Sequence, residues 1–254
     1  MSVVRARSKA WALLAALATA PAAAPQGHDA STGEAGLASP IGAGATPAEP
    51  WIVTLLPRQK KPATRFDVVA LDGQRVLRVR ADGSYGNLVH EIAAATPTRT
   101  LRWSWRIDIA PDADLRTKEG DDTAMKVCAL YDWPRDRLSV GERMKLAAAS
   151  ALAGKPLPAA TLCWVADARL PEGTLLPNAF TARLRMIVVQ QLSAGALARW
   201  SEHQRDLHAD FRRAFADEWH DGDAMPPLRA VLIGADADNT ASQALGYLRS
   251  IELR

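Results

Sequence analysis

Beyond residue 50 the chain alternates apolar and polar residues with a period of two, the mark of strands that bury one face. The pattern is clearest at 101–108, where Leu101, Trp103, Trp105 and Ile107 share one face and Arg102, Ser104, Arg106 and Asp108 the other. Phe66, Val68 and Ala70 lead into Asp72 and Gly73, a dipeptide suited to a two-residue hairpin turn, and Val76, Leu77 and Val79 lead away from it. Further strands are predicted at 51–55, 87–92, 123–131, 161–166, 182–191, 228–235 and 246–253, making ten with the hairpin and the tryptophan pair. Short strands joined mostly by turns predict a mostly β fold, a jelly-roll-like β-sandwich in which two sheets close over a shared apolar interior.

Two segments change to helical spacing. The first, at about 139–153, starts with Ser139 and Glu142 in capping-box register, continues through Met144, Leu146 and Leu152, and stops at Gly154 with Pro156 beyond. It reads as an insertion between strands. The second, at about 206–217, repeats Leu207, Phe211 and Phe215 at every fourth position and leaves His208, Arg212, Arg213 and Asp217 on its other faces. One apolar stripe of this kind is expected to lie across an open end or edge of the sandwich.

The N-terminal 50 residues do not fit the pattern. Arg5, Arg7 and Lys9 precede an apolar run from Trp11 through Leu13, Leu14 and Leu17 to Ala18, and small residues follow at 20–24. This order predicts a signal peptide at 1–22, cut after Ala22, and hence an exported protein, periplasmic or secreted. The run is roughly half the ~20 residues needed to cross a bilayer, so the protein is not expected to span the membrane. Residues 23–50 are mainly Ala, Gly, Pro, Ser and Thr, a composition too poor in bulky side chains to offset chain entropy, and read as a flexible linker. Residues 51–254 remain as a single domain.

Charge narrows the partners. The chain carries a net charge of +3, but removal of the three basic residues of the leader leaves Lys+Arg equal to Asp+Glu at 28. Nucleic-acid binding requires a clustered basic surplus, so no nucleic-acid partner is expected. The two cysteines, Cys128 and Cys163, both lie in predicted strands; they are a candidate disulfide in an oxidising compartment, or two small buried thiols.

Catalytic spacings are missing. The histidines at 28, 90, 203, 208 and 220 contain no i, i+4 pair, and no glycine-rich phosphate loop or nucleophile elbow is complete. Two acidic clusters stand at strand ends: Asp121 and Asp122 before the strand at 123–131, and Asp236, Asp238, Asn239 and Thr240 after the strand at 228–235. Closely spaced carboxylates and an amide suit sugar hydroxyls or a hard cation, so Asp236 and Asp238 are a candidate calcium pair. Ala241 replaces the glycine and Tyr247 the closing glutamate of a helix-loop-helix calcium site. The competing reading is turn chemistry, in which Asp and Asn hold their own loops. Trp103 and Trp105 read as core, whereas Trp164 is a candidate stacking surface. Arg102, Arg106, Lys126, Arg183 and Arg185, each opposite an apolar set, would form a cationic face if they lined one sheet.

Taken in order, Leu101 to Arg106, Gly120 to Asp122 with Lys126, Leu162 to Trp164, Asp210 to Phe215, and Asp236 to Thr240 before a closing strand resemble an exported bacterial domain-of-unknown-function family, number 3047. The resemblance runs over the whole of 51–254. It implies the fold and export, with no activity attached. Cys163 stands where that family more often has an aromatic, and Ala216 where its helix more often ends in Gly. The general look is similar to jelly-roll carbohydrate-binding modules. The leading expectation is a non-catalytic module for a glycan or another envelope component, using Arg106, Asp122, Lys126, Trp164, Asp236, Asp238 and Asn239 among its candidate residues. Two alternatives stay open: a polysaccharide lyase or hydrolase using Asp122, Lys126 and Arg106, and a structural envelope protein without a small ligand.

Overall fold

Strands form where the alternation lies, and two more form where it is absent, at Leu175–Pro177 and Trp200–Asp206. The computed structural model describes residues 36–55, 59–92, 99–153 and 156–254, so the expected signal at 1–22 and the first part of the expected linker fall outside it. Among the described residues the order is β1 (Ile52–Thr54), β2 (Arg65–Leu71), β3 (Gln74–Asp82), β4 (Asn87–Glu91), β5 (Thr100–Ile109), β6 (Lys126–Tyr131), α1 (Val140–Ala153), β7 (Ala160–Asp167), β8 (Leu175–Pro177), β9 (Leu184–Gln191), β10 (Trp200–Asp206), α2 (Leu207–Ala214), β11 (Leu228–Gly234) and β12 (Gln243–Leu253). They build a seven-stranded sheet, β1-β4-β11-β6-β7-β9-β8, and a five-stranded sheet, β10-β5-β12-β3-β2. All pairings are antiparallel except β7 with β9. The chain is therefore a mostly β sandwich with two α-helices.

Local chemistry accounts for the joints. Asp72 and Gly73 both have positive φ, 52° and 75°, the conformation that a two-residue hairpin turn requires, and they set the Leu71–Gln74 register of β2 and β3. Ser139 and Glu142 form the reciprocal capping box at the start of α1: the Glu142 amide donates to Ser139 Oγ at 3.2 Å and the Ser139 amide to Glu142 Oε2 at 3.1 Å. Asp206 caps α2 by accepting from the amides of His208 and Ala209.

The interior holds the inward set of each sheet, including Leu77, Val79, Trp103, Trp105, Val127, Trp164, Ile187, Val231 and Leu248, and is closed at one end by Phe211 and Phe215 of the α2 segment. A buried aromatic ring of this size removes about 150–250 Å² from water, worth roughly 4–6 kcal/mol before entropy is charged against it. Trp164 belongs here too. It is fully buried, its ring lies 5.7 Å from that of Trp103, and its Nε1 donates to Asp210 at 2.8 Å. This corrects the expectation of a stacking surface: Trp164 sits on the inward parity of β7, beside a buried acceptor that satisfies its polar atom.

A second, smaller apolar cluster covers the opposite face of the seven-stranded sheet, with Cys128, Cys163, Val165, Met186 and Val188 beside Leu115 and Leu170 from the loops. Cys128 and Cys163 are directly opposed across β6 and β7 and are joined by a disulfide. The described part of the expected linker does not hang loose. The Val68 amide donates to Ala45 O at 2.7 Å, Trp51 Nε1 to Ala38 O at 2.7 Å, and Arg75 to the carbonyl oxygens of Gly42 and Gly44, so the segment's backbone groups, together with Leu37 and Ile41 packed on the core, hold 36–50 against the sheets.

Strand β10 was not legible because its inward positions carry Ser201, His203 and Arg205 instead of aliphatics. His203 lies between the indoles of Trp103 and Trp105, at ring separations of 5.2 and 4.9 Å. Burial, helped by the nearby Arg205, pushes its pKa down to about 4. Arg205 in turn makes two 2.6 Å bonds to Asp210.

Candidate functional site

The two acidic loops meet. Residues 120–125 precede β6 and residues 235–242 connect β11 to β12; β6 and β11 are neighbours, with Lys126 opposite Gly234, so their adjoining ends bring the loops side by side. Asp122 is buried. Its Oδ1 accepts from the Asn239 amide at 3.2 Å, and its Oδ2 accepts from the Thr240 amide at 2.7 Å and from Thr240 Oγ1 at 2.5 Å. Asp236 mirrors this arrangement. Its Oδ1 accepts from the amide and hydroxyl of Thr123, its own amide donates to Thr123 O at 3.1 Å, and its Oδ2 takes a 2.7 Å bond from Lys126 Nζ. Each loop thus holds the other by carboxylate bonds to backbone donors.

Lys126 is almost wholly out of solvent, with its Nζ 5.0 Å from the centre of the Tyr85 ring. Burial alone would lower its pKa, but the Asp236 carboxylate outweighs that and holds it above the ordinary lysine value. The stem lies flat against β11 because Gly234 has no side chain: a Cβ there would come within 2.8 Å of Lys126 Cε and 2.6 Å of Asn87 Oδ1. Asn87 donates to Tyr85 Oη at 3.1 Å, and its own Oδ1 is buried with no partner among the described residues. Sequence reasoning overlooked Gly234, Thr123, Tyr85 and Asn87. The one available signal was a glycine at the end of an otherwise aliphatic strand, which marks a close approach.

Around this locked centre is a more open rim. Asp121 is half-buried, and both of its oxygens accept from the Asn178 side-chain amide, at 2.8 and 2.7 Å. Burial raises its pKa, and likewise that of Asp238. Asn239 is exposed and its side chain donates to Asp121 O at 3.0 Å; Lys61 Nζ donates to Asp238 O at 2.7 Å.

Arg106 lies elsewhere. It projects from β5 in the five-stranded sheet, flanked by inward Trp105 and Ile107, and pairs with Asp108 at 2.7 Å and Asp72 at 3.1 Å. Lys126, flanked by inward Met125 and Val127, points away from the same interior in the opposite direction. The expected cationic face is corrected accordingly. Arg102 and Arg106 belong to one sheet, and Lys126, Arg183 and Arg185 to the other or its approaches, the last two matched by Glu218. As a calcium pair, Asp236 and Asp238 do not fit: both oxygens of Asp236 are engaged, and the Lys126 ammonium already sits where a cation would. Among the described residues no three His, Cys, Asp or Glu side chains gather in a way that would hold a metal ion, and no helix is long and apolar enough to cross a membrane.

A family model described as "Protein of unknown function (DUF3047)" matches residues 49–252. No curated protein matches the chain. Among solved structures, the K2 cleaved adhesin domain of Lys-gingipain aligns over 84% of this chain and 92% of its own at 10% identity, with a TM-score of 0.35. The family 11 xylanase from Neocallimastix patriciarum aligns over 75% and 86% at 7% identity, with a TM-score of 0.30.

Proposed function

The chain belongs to the DUF3047 family, a membership that carries no activity with it, and from its geometry we propose that it is an exported, non-catalytic module that binds a glycan or another envelope component. Export is supported by the leader-like N-terminus and by a disulfide, which persists in oxidising compartments. One observation carries the binding reading. Asp122, Asp236 and Lys126, the groups best suited to move protons, are held by internal bonds, while the loops they fasten present Asp121, Asp238 and Asn239 at the rim, with Asn178 of the β8–β9 connection beside Asp121. A carboxylate has about four lone-pair sites, and those of Asp121 are only partly used by Asn178, so sugar hydroxyls have acceptors on a rim that does not need to reorganise.

The test is a glycan array followed by calorimetry on the strongest neutral class. Asn239→Ala and Asp121→Ala are expected to weaken binding at least tenfold while the melting temperature stays near that of the parent. Absence of binding across neutral glycans, or binding indifferent to both substitutions, would remove this reading.

A further inference from the structure

A second surface differs in chemistry and lies on α2. Leu207, Asp210, Phe211 and Ala214 turn inward, which leaves Ala209, Arg212 and Arg213 on the outer side, continued by Ala216 in the turn past the helix. With Trp219 these four line a groove of about 440 Å³, within the range of small-molecule sites. The two alanines keep its floor open. The indole of Trp219 is backed by Phe211 at 6.1 Å and Trp133 at 6.2 Å, so it stands as a fixed wall.

The charge here is uncompensated. Among the described residues neither Arg212 nor Arg213 pairs with a carboxylate: Arg212 lies 5.9 Å from the Trp219 ring, and Arg213 gives one Nη2 bond of 2.6 Å to Gly173 O. Neighbouring guanidiniums are matched, Arg183 and Arg185 by Glu218 and Asp217, and Arg205 by Asp210. Those bonds engage Asp217 and Glu218, the two acids that directly follow Ala216. Two anchored guanidinium forks with donors to spare recognise carboxylates bidentately, and an indole face takes the apolar face of a ring.

We propose that this groove binds a sugar ring bearing a carboxylate, a uronic acid unit of an acidic polysaccharide, and that it does so independently of the strand-end rim. The test is calorimetry of the full chain with a uronic acid oligomer, its neutral counterpart of the same linkage, and inorganic sulfate. The acidic oligomer is expected to bind at least tenfold more tightly than either control, and R212Q with R213Q to reduce that affinity at least tenfold. The conservative pair R212K with R213K should recover only part, since lysine keeps the charge and loses the fork. Trp219→Phe, which keeps a ring in the wall, should weaken binding less than the double glutamine change. Equal binding of the neutral oligomer or of sulfate, or undiminished binding by a double glutamine variant with an unchanged melting temperature, overturns the proposal. Asn239→Ala separates the two surfaces: it should leave uronate binding intact even if rim binding fails altogether.

Discussion

The strand-end cluster and the α2 groove both carry charged side chains and treat those charges in opposite ways. At the strand ends, Lys126 is buried against Asp236, and the Asp122 carboxylate accepts backbone and hydroxyl donors from the neighbouring loop. In the groove, Arg212 and Arg213 keep donors that no carboxylate among the described residues answers. A buried charge must be paired to be tolerated, so the first region is architecture and lends rigidity to its rim. A solvated charge with unused donors costs little to keep and is available to a ligand. The rim is also rich in acceptors and the groove in donors, so they suit different ligands, neutral hydroxyls and anionic groups respectively.

The largest expected effect comes from breaking the buried pair. Asp236→Ala strands the Lys126 ammonium and should cost about 3–5 kcal/mol in urea denaturation, and Lys126→Met in the same chain should recover at least half of that. A loss below about 1 kcal/mol would place the pair in solvent and erase the contrast.

His203 extends the comparison to a half-buried titratable ring that no carboxylate among the described residues pairs with. Its folded pKa, about 4, lies below the unfolded value near 6.5, so between these limits the unfolded chain binds more protons. Stability is therefore complete above about pH 6.5 and falls on acidification toward pH 4, by roughly 2–3 kcal/mol once the part-exposed ring is allowed for. His203→Gln should flatten this slope; an unchanged slope would assign it to other groups.

A smaller effect tests the loop itself. Ala241 is held at a φ of 51°, a left-handed conformation that costs an L-residue about 1–2 kcal/mol, so Ala241→Gly should raise stability by up to about 1 kcal/mol without altering binding. Smallest of all, the double glutamine change at Arg212 and Arg213 should shift stability by less than about 0.5 kcal/mol, because both side chains are exposed and unpaired with acids. A larger loss would make the groove architecture as well.

Much of the fold was legible because burial imposes a local period. The Trp103 and Trp105 alternation, the Asp72-Gly73 turn and the Ser139–Glu142 box each carry their signal within a few residues. The site was legible only as two alternatives. Turn chemistry and ligand binding use the same residue types, and the partners that decide between them, Asp122 with Thr240 or Lys126 with Asp236, are more than 100 positions apart in the chain. Trp164 was ambiguous for the same reason, since its inward position depends on Asp210 and Trp103. The groove was invisible from sequence: Arg212 and Arg213 read as the polar side of a helix, and what distinguishes them is that Arg185 and Arg183 hold the nearby acids.

On the proposed reading the protein recognises its ligand without chemistry, and Asp122 is a fastener. The most direct test is to incubate the parent protein and Asp122→Asn with a panel of polysaccharides, following new reducing ends and unsaturated products alongside thermal unfolding. Neither protein is expected to form product, and Asp122→Asn is expected to melt at a lower temperature. Product formation by the parent that disappears in Asp122→Asn, with the melting temperature unchanged, would contradict this reading.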